Sequence, residues 1–292
     1  MKIDGLYTAI VTPFSKSNEL DEEGLRSNIR FQIENKVSGI VPVGTTGESA
    51  TLSESEHKKV IDIAVEEAKG KIKVFAGTGS NNTVEAIEYT RYAKDAGADA
   101  ALMITPYYNK PTQEGVYQHY KKVADEVDIP IILYTVPGRT MVNIEPDTTK
   151  RLSGIKNIIG IKDASGSLDQ VTREIALCGK DFTVLSGEDS LNYPIMCLGG
   201  KGAISVVSNI APKQLCELVN SALRGNHKRA AELHYQLYDL CKILFIETNP
   251  SPVKAAMNMM DLAAGNPRLP LVPVKKESEE KIKAALKELG LI

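Results

Sequence analysis

The sequence has little net charge and no long apolar run. Its 292 residues carry a formal net charge of −2, so general attraction to nucleic acid or to an anionic membrane is not expected. No segment approaches the ~20 apolar residues of a membrane-spanning helix. The first residues, MKIDGLYTAIVTPF, lack the apolar core and cleavage site of a signal peptide. These absences predict a soluble, cytoplasmic protein.

Residues that could hold a metal ion or a nucleotide are also scarce. The four histidines form no pattern such as HExxH, and the four cysteines are too far apart for a zinc ribbon or a redox pair. No GxGxxG or GxxxxGK[ST] segment occurs. We therefore expect reduced thiols and neither a metal nor a nucleotide cofactor.

Short apolar runs recur along the first 224 residues, with amphipathic stretches between them. Continuous apolar runs of this length are typical of parallel strands that are buried on both faces. The predicted strands are LYTAIV (6–11), GIVPV (39–43), IKVFAG (72–77), AALMI (100–104), PIILYT (130–135), NIIGIK (157–162), FTVLS (182–186) and GAISVV (202–207).

The amphipathic stretches predict helices that alternate with these strands. They begin at Asp21 and cover 53–69, 83–97, 112–127 and 168–178. Ser53 and Glu56 have the spacing of a capping box. Eight alternations predict an α/β protein with a (β/α)₈ barrel, also called a TIM barrel. An open doubly wound sheet is the alternative, but it would normally bring a nucleotide-binding fingerprint.

No strand pattern follows residue 224. Helical patterns occupy 226–246, 252–264 and 276–289. The sequence thus predicts a catalytic barrel over 1–224 and a C-terminal helical region over 225–292, which serves as an appendage or as an interface element.

Active sites of such barrels lie at the carboxyl ends of the strands. The segments predicted there are rich in glycine, hydroxyl groups and tyrosine, which suit a small carboxylated substrate. They are GTTGES (44–49), GTGSNN (77–82), TPYYN (105–109), YTVPGRT (134–140), the Lys162–Asp163 pair, SGED (186–189) and SNI (208–210).

Lys162 ends a strand that is otherwise apolar, and it allows two interpretations. It could extend to solvent or pair with Asp163. Alternatively, burial disfavours its ammonium form, and the neutral amine attacks a ketone or aldehyde to form a Schiff base. The second interpretation is favoured by a pocket that offers no thiol nucleophile, metal site or histidine base.

Four further side chains at the strand ends have a structural and a functional interpretation. Tyr134 is either a core aromatic residue or a proton carrier beside the lysine. Thr45 and Thr46 either shape a turn or bind a carboxylate at the loop–helix junction. Arg139 is either a solvated charge or a bidentate carboxylate ligand.

Several motifs together resemble one enzyme family. They occur in order along the whole chain, which is more specific than any one of them. The motifs are GTTGES (44–49), TPYYNKP (105–111), ILYTVPGRT (132–140), GIKDASG (160–166), LSGED (185–189) and RLP (268–270). The sequence resembles dihydrodipicolinate synthase, also called 4-hydroxy-tetrahydrodipicolinate synthase, of the pyruvate-dependent class I aldolase (N-acetylneuraminate lyase) superfamily.

The resemblance implies a lyase that condenses pyruvate with L-aspartate 4-semialdehyde through a lysine Schiff base. The product, 4-hydroxy-tetrahydrodipicolinate, belongs to the first committed step of diaminopimelate and lysine biosynthesis. No metal or organic cofactor is implied. The implied partners are these small substrates and further copies of the chain, as a homotetramer built from two dimers or as a homodimer.

The resemblance also implies roles for individual residues. Lys162 is the Schiff-base lysine, and Tyr134, Thr45 and Tyr108 form a proton relay in which Tyr108 enters the neighbouring subunit's site. The implied substrate-binding residues are Thr46 for the pyruvate carboxylate, Arg139 for the semialdehyde carboxylate, and Gly187 and Ile204 near the lysine.

A regulatory lysine site is a further implication. The residues that resemble it are Ser49, Ala50, His57, Asn81, Glu85 and Tyr107. Glu54 stands where the lysine-inhibited enterobacterial pattern has a histidine, so feedback inhibition is either kept or altered. For His57, an ordinary exposed helix residue is the alternative.

Two other functions stay open at the level of sequence. A sister aldolase, such as N-acetylneuraminate lyase or a 2-keto-3-deoxy sugar acid aldolase, would share the lysine, the tyrosine and the glycine-threonine loop. The Thr45–Thr46 pair, YYN and PGRT favour the synthase. A non-catalytic keto-acid or amino-acid sensor on the same barrel would be expected to lose Lys162 or Tyr134.

Overall fold

Eight parallel strands close into a barrel in the computed structural model, which describes all 292 residues. Each strand pairs with the next, and β8 pairs with β1. The predicted (β/α)₈ barrel is therefore confirmed, and the open doubly wound sheet is wrong. The strands are β1 Gly5–Ala9, β2 Gly39–Val41, β3 Lys73–Gly77, β4 Ala100–Ile104, β5 Ile131–Thr135, β6 Ile158–Asp163, β7 Thr183–Ser186 and β8 Gly202–Ser205.

Helices connect the strands and continue after the last one. They are α1 Glu22–Glu34, α2 Glu54–Ala68, α3 Thr83–Ala96, α4 Gln113–Glu126, α5 Pro137–Thr140, α6 Pro146–Ser153, α7 Leu168–Cys178, α8 Asn192–Leu198, α9 Pro212–Leu223, α10 His227–Ile243, α11 Ser251–Met259 and α12 Lys276–Glu288. No helix is apolar over enough of its length to cross a bilayer.

Local sequence signals explain where several helices begin. The capping box of α2 is present, since the Ser53 hydroxyl accepts from the Glu56 N–H and the Glu56 carboxylate accepts from the Ser53 N–H. Proline occupies the first helical position of α6, where a missing N–H costs nothing. Helices α5, α6 and α8 are too short to give a clear apolar periodicity in the sequence. Helix α9 was missed although it has 12 residues and an apolar face that includes Leu215, Leu218 and Val219.

The barrel interior is filled with side chains. Tyr7 and Phe75 stack with ring centroids 4.3 Å apart, and Leu102, Ile132 and Leu185 belong to the same buried cluster. A filled interior leaves no passage along the barrel axis, so a ligand site must lie at one of its ends.

The C-terminal helices share one apolar core with the barrel. Leu237 of α10, Val253 of α11 and Ile282 of α12 lie in the same buried cluster as Leu6 of β1 and Leu215 of α9. The division at residues 224 and 225 stays a prediction, but the helical region is packed firmly against the wall of the barrel.

Candidate active site

A cavity of about 650 Å³ lies at the carboxyl ends of the strands. Loops after several strands form its floor and walls, and the segment 245–249, which follows α10, forms another wall. Six of the residues that the sequence assigned to the site line this cavity: Thr45, Thr46, Tyr134, Arg139, Lys162 and Gly187.

Lys162 and Tyr134 are direct neighbours on strands β6 and β5. Partners in adjacent strands project to the same face of a sheet, and here both side chains project toward the cavity. The Lys162 Nζ lies 4.2 Å from the centroid of the Tyr134 ring. Lys162 is only 6% exposed, so the interpretation that it extends to solvent is wrong.

The alternative pairing of Lys162 with Asp163 is also wrong. The two residues point to opposite faces of β6, and Asp163 has other partners. One of its oxygens accepts from the hydroxyl of Ser165 at 2.7 Å, and the other accepts from the Gln170 amide at 2.7 Å. These bonds fix the turn that follows Lys162.

A second buried acid, Glu174, lies behind the same strand. It is completely buried and accepts from the Thr149 hydroxyl at 3.3 Å. Burial, together with the negative charge of Asp163, raises the pKa of Glu174 to about 9. Glu174 is therefore protonated at neutral pH, while burial also raises the pKa of Asp163.

Gly187 leaves the space that the lysine side chain occupies. A Cβ at this position would lie 3.0 Å from Cε of Lys162 and 2.8 Å from Cβ of Ala164. A side chain at this position would press on Lys162, so glycine leaves room for the lysine side chain.

The loop 44–47, called the threonine loop below, is bracketed by two residues with left-handed backbone. Val43 has φ +50° and Glu48 has φ +52°. Such positive φ angles are unfavourable for residues other than glycine. The Thr12 hydroxyl donates to the carbonyl of Gly47 at 2.7 Å. Thr46 is buried and Thr45 is half-buried, and both line the cavity.

Asn249 is a site residue that the sequence analysis missed. It lines the cavity and is 3% exposed. Its side-chain Nδ2 donates to the Thr46 hydroxyl at 3.1 Å, and its backbone carbonyl accepts from Arg139 Nη2 at 3.1 Å. One residue thus joins the two positions expected to bind carboxylates. The dipeptide Asn249–Pro250 before a helix was the only local signal.

Two of the predicted site residues do not line the cavity. Ile204 is buried in the barrel interior with Tyr134. Tyr108 is 90% exposed, with φ +72° in the loop after β4. Within a single chain, Tyr108 therefore does not contribute to the cavity.

The predicted regulatory residues lie around the starts of α2 and α3. Glu54 is exposed and pairs with Lys58, with 2.6 Å between the carboxylate and Nζ. Ser49 and Ala50 belong to a short 3₁₀ turn.

His57, by contrast, is buried, so its interpretation as an ordinary exposed residue is wrong. Its Nε2 lies 3.1 Å from the carbonyl of Gly77, and its ring stacks on Tyr89 at 4.4 Å. Burial lowers the pKa of His57 to about 4, so the ring is neutral at neutral pH.

The remaining residues of the predicted regulatory site also make hydrogen bonds. The Asn81 amide donates to the carbonyl of Tyr107 at 3.1 Å, and the Glu85 carboxylate accepts from the Ser80 hydroxyl at 2.7 Å. The structure thus brings the start of α3 against the loop that carries Tyr107.

The arrangement offers one buried amine, a neighbouring phenol, two hydroxyls and a guanidinium around one cavity. Such a set suits a small acid with a reactive carbonyl: hydroxyls and the guanidinium bind carboxylates, and the amine reaches the carbonyl carbon. No group of three or more His, Cys, Asp or Glu side chains is placed to hold a metal ion.

Comparison with known proteins gives a consistent result. The model of the dihydrodipicolinate synthetase family matches residues 2–289. The chain is 56% identical over 289 residues to the 4-hydroxy-tetrahydrodipicolinate synthase of Syntrophobacter fumaroxidans, covering 99% of each protein.

Solved structures agree with this. The chloride-inhibited dihydrodipicolinate synthase of Acinetobacter baumannii, complexed with pyruvate, is 46% identical with a TM-score of 0.98 and full coverage of both chains. A dihydrodipicolinate synthase described as the first monomeric variant is 46% identical with a TM-score of 0.97, covering 99% of this chain and 98% of that one.

Proposed function

The chain belongs to the dihydrodipicolinate synthetase family, and on that premise we propose that it condenses pyruvate with L-aspartate 4-semialdehyde to 4-hydroxy-tetrahydrodipicolinate. The observation that carries this assignment is the buried Lys162 amine, which lies against Tyr134 in a cavity that also holds Thr46 and Arg139. This is the committed step toward diaminopimelate and lysine, and we propose that the enzyme acts in the cytoplasm.

The reaction begins with covalent capture of pyruvate. The lone pair of the Lys162 amine attacks the ketone carbon and forms a carbinolamine, which loses water to give the imine. Tyr134, whose ring centroid lies 4.2 Å from Nζ, passes protons to the departing oxygen, with Thr45 and Tyr108 completing the relay. Thr46 holds the pyruvate carboxylate during these steps.

Carbon–carbon bond formation follows from the imine. Loss of a methyl proton gives the enamine, because the protonated imine nitrogen accepts the electron pair. The enamine carbon attacks the aldehyde carbon of the semialdehyde, whose carboxylate is held by Arg139. The amine of the semialdehyde then attacks the imine carbon, which closes the ring and releases Lys162. No metal or organic cofactor is needed, since the imine itself stabilises the carbanion.

Self-association is the second part of the proposal. Tyr108 is needed for the relay but is exposed and held with left-handed backbone. Backbone strain of this kind persists where the surroundings fix it. A second copy that receives Tyr108 in its cavity supplies those surroundings, so a homodimer is the minimal active unit and two dimers form the tetramer.

The test is a coupled assay on the purified protein. Pyruvate and aspartate 4-semialdehyde are supplied, and dihydrodipicolinate reductase with NADPH reports the product. Rapid NADPH oxidation is expected. Absence of oxidation would contradict the proposal even if borohydride traps pyruvate on Lys162, and sugar-acid aldehydes would then be tested for the sister aldolases. If the protein were a non-catalytic sensor, treatment with pyruvate and borohydride would leave the mass of the Lys162 peptide unchanged.

A further inference from the structure

A fully buried ion pair connects the C-terminal region to the threonine loop. Lys254 of α11 lies with its Nζ 2.5 Å from Oε1 of Glu48, the residue that follows the loop, and each side chain is 1% exposed. Every other ion pair of the chain is more exposed, including that of Arg268 with Glu56 at 12% and 26%.

The other oxygen of the Glu48 carboxylate is also bound from the C-terminal region. The backbone N–H of Arg268 donates to Oε2 at 2.9 Å. Lys254 and Arg268 both lie over the ring of Phe14, at 4.2 Å and 4.0 Å from its centroid. The Lys254 amine additionally donates to the carbonyl of Asn266 at 3.3 Å. Two separate C-terminal segments therefore hold one carboxylate.

A gain in folding stability does not by itself explain why this ion pair is buried. Removing two charges from water costs free energy that their attraction often only matches. Burial lowers the pKa of Lys254 to about 8, and the attraction of Glu48 only partly opposes this. Replacing a buried ion pair by apolar residues of similar volume is often neutral or stabilising, so the geometry that the two charges impose on their surroundings explains the pair better than stability does.

That geometry fixes the backbone of the threonine loop. Glu48 has the left-handed φ of +52°, and its N–H donates to the carbonyl of Thr45 at 3.1 Å. The segment 249–254 reaches the same loop a second time, through the bond from Asn249 to the Thr46 hydroxyl. Asn249 lies just before α11, and Lys254 lies in its first turn, where the Lys254 N–H donates to the carbonyl of Pro250.

We propose that Glu48 and Lys254 are positioning residues, whose buried ion pair sets the orientation of Thr45 and Thr46 toward pyruvate. The inference rests on the proposed function, because it takes those two threonines as the pyruvate-binding and proton-relay groups. It assigns to the C-terminal helices an effect on the chemistry that is exerted through the threonine loop, since neither Glu48 nor Lys254 lines the cavity.

The experiment compares Glu48→Gln, Lys254→Met and the double variant with the unaltered enzyme. Each removes charge at nearly constant volume. Arg229→Met is the matched control, since it removes the exposed Arg229–Glu217 pair from the same C-terminal region. Three properties of every protein are measured: the steady-state constants for each substrate, the rate of borohydride trapping of pyruvate in a single turnover, and thermal unfolding.

We expect the KM for pyruvate to rise about tenfold in the single variants and the trapping rate to fall, while the KM for the semialdehyde changes less than about twofold. The double variant leaves no lone charge buried, so it should regain thermal stability but keep the raised KM for pyruvate. If a single variant does not fold, the double variant still tests the inference. Arg229→Met should leave all constants unchanged.

Two results would overturn the inference. Variants with lower thermal stability but an unchanged KM for pyruvate would show that the pair is only structural, and equal increases in both KM values would show a general disturbance. Failure of the unaltered enzyme to trap pyruvate would instead contradict the proposed function, so the two failures are distinguishable.

Discussion

Lys162 is a buried amine with an aromatic ring as its nearest charge-stabilising neighbour. The Tyr134 ring at 4.2 Å offers a cation–π contact, which is a weaker compensation than a carboxylate. The amine faces the cavity beside a phenol and pairs with no carboxylate, which places it to act as a nucleophile.

Replacing Lys162 should abolish turnover without unfolding the protein. Lys162→Ala removes the nucleophile, and Lys162→Arg keeps a cation that stays protonated and forms no imine. We expect the coupled activity to fall at least about 10³-fold in both, with no borohydride-trapped pyruvate by mass spectrometry. Lys180→Ala, at an exposed lysine before β7, should behave as the unaltered enzyme. Near-normal turnover of Lys162→Arg would exclude the Schiff-base mechanism.

Asn249 should matter because its amide holds the Thr46 hydroxyl. Asn249→Ala leaves that hydroxyl free to rotate and is expected to lower kcat/KM for pyruvate about tenfold, corresponding to about 1.4 kcal/mol. Steady-state kinetics at saturating semialdehyde measure this. Asn220→Ala, at an exposed asparagine on α9, is the control, and equal kinetics in the two variants would count against the assignment.

The predictability of these residues depends on what determines their position. Lys162 and Tyr134 could be predicted because they end strands, and strand ends in a parallel barrel converge on one site. Asn249 could not, because it reaches Thr46 only through the packing of α10 and α11 on the barrel. The burial of His57 was missed for the same reason, since its contacts with Gly77 and Tyr89 come from other elements.

Successive side chains of strand β6 point to opposite faces of the barrel wall, so the lysine and the acid beside it lie in different surroundings. Lys162 projects into the cavity, whereas Asp163 projects toward α7 and meets Gln170 and Glu174 there. The acid pair on the outer face is inaccessible to substrate, but it fixes the strand that presents the lysine. Its protonation should therefore be visible in the stability of the fold.

Glu174 makes folding stability depend on pH. Its folded pKa of about 9 lies above its ordinary value of 4.5, so the folded chain binds more protons between these values. Its contribution is fully present below pH 4.5 and is lost as the pH rises toward 9, by at most about 1.4 kcal/mol per pH unit.

Urea unfolding of Glu174→Gln measures this contribution. Glutamine keeps the hydrogen bond without ionising, so the decline between pH 6 and pH 8.5 should be shallower than in the unaltered protein. Asp169→Asn, at an exposed carboxylate on the same helix, should retain the original slope. Parallel curves for all three proteins would show that Glu174 does not titrate in this range.

The elements themselves were largely readable from the sequence. Continuous apolar runs located all eight strands to within a few residues, and α7 was predicted with its observed bounds. Closure of the sheet was a topological inference from eight alternations. Helices α6 and α8 were less visible, because α6 spans only 8 residues and α8 only 7.

The barrel and the C-terminal helices act as one body around the cavity. Their shared apolar cluster and the wall formed by 245–249 mean that α10 and α11 are needed for a complete site. The sequence left this region as an appendage or an interface element, because a linear sequence does not show which wall of the barrel a helix covers.

The role of Tyr108 tests whether two copies of the chain assemble to form a complete site. If it acts in the cavity of a second copy, Tyr108→Phe should lower turnover at least about tenfold by removing the phenolic proton. Its KM for pyruvate should change little, since binding by Thr46 is retained. Tyr235→Phe, at a phenol that is 76% exposed on α10, is the matched control and should keep full activity.

Mixing the Lys162→Ala and Tyr108→Phe variants shows whether Tyr108 acts within its own chain or in the cavity of a second chain. In a dimer of Lys162→Ala with Tyr108→Phe, one cavity receives Lys162 from one chain and Tyr108 from the other, and that cavity is complete. Unfolding the variants together and refolding them in equal amounts should restore roughly a quarter of wild-type activity, because half the dimers are mixed and each has one working site. If Tyr108 served its own chain's cavity, no mixed dimer would contain a complete site, and the activity of the mixture would not rise above the residual activity of Tyr108→Phe. Recovery of activity, with sedimentation showing dimers or tetramers, therefore establishes that the exposed tyrosine completes its neighbour's site.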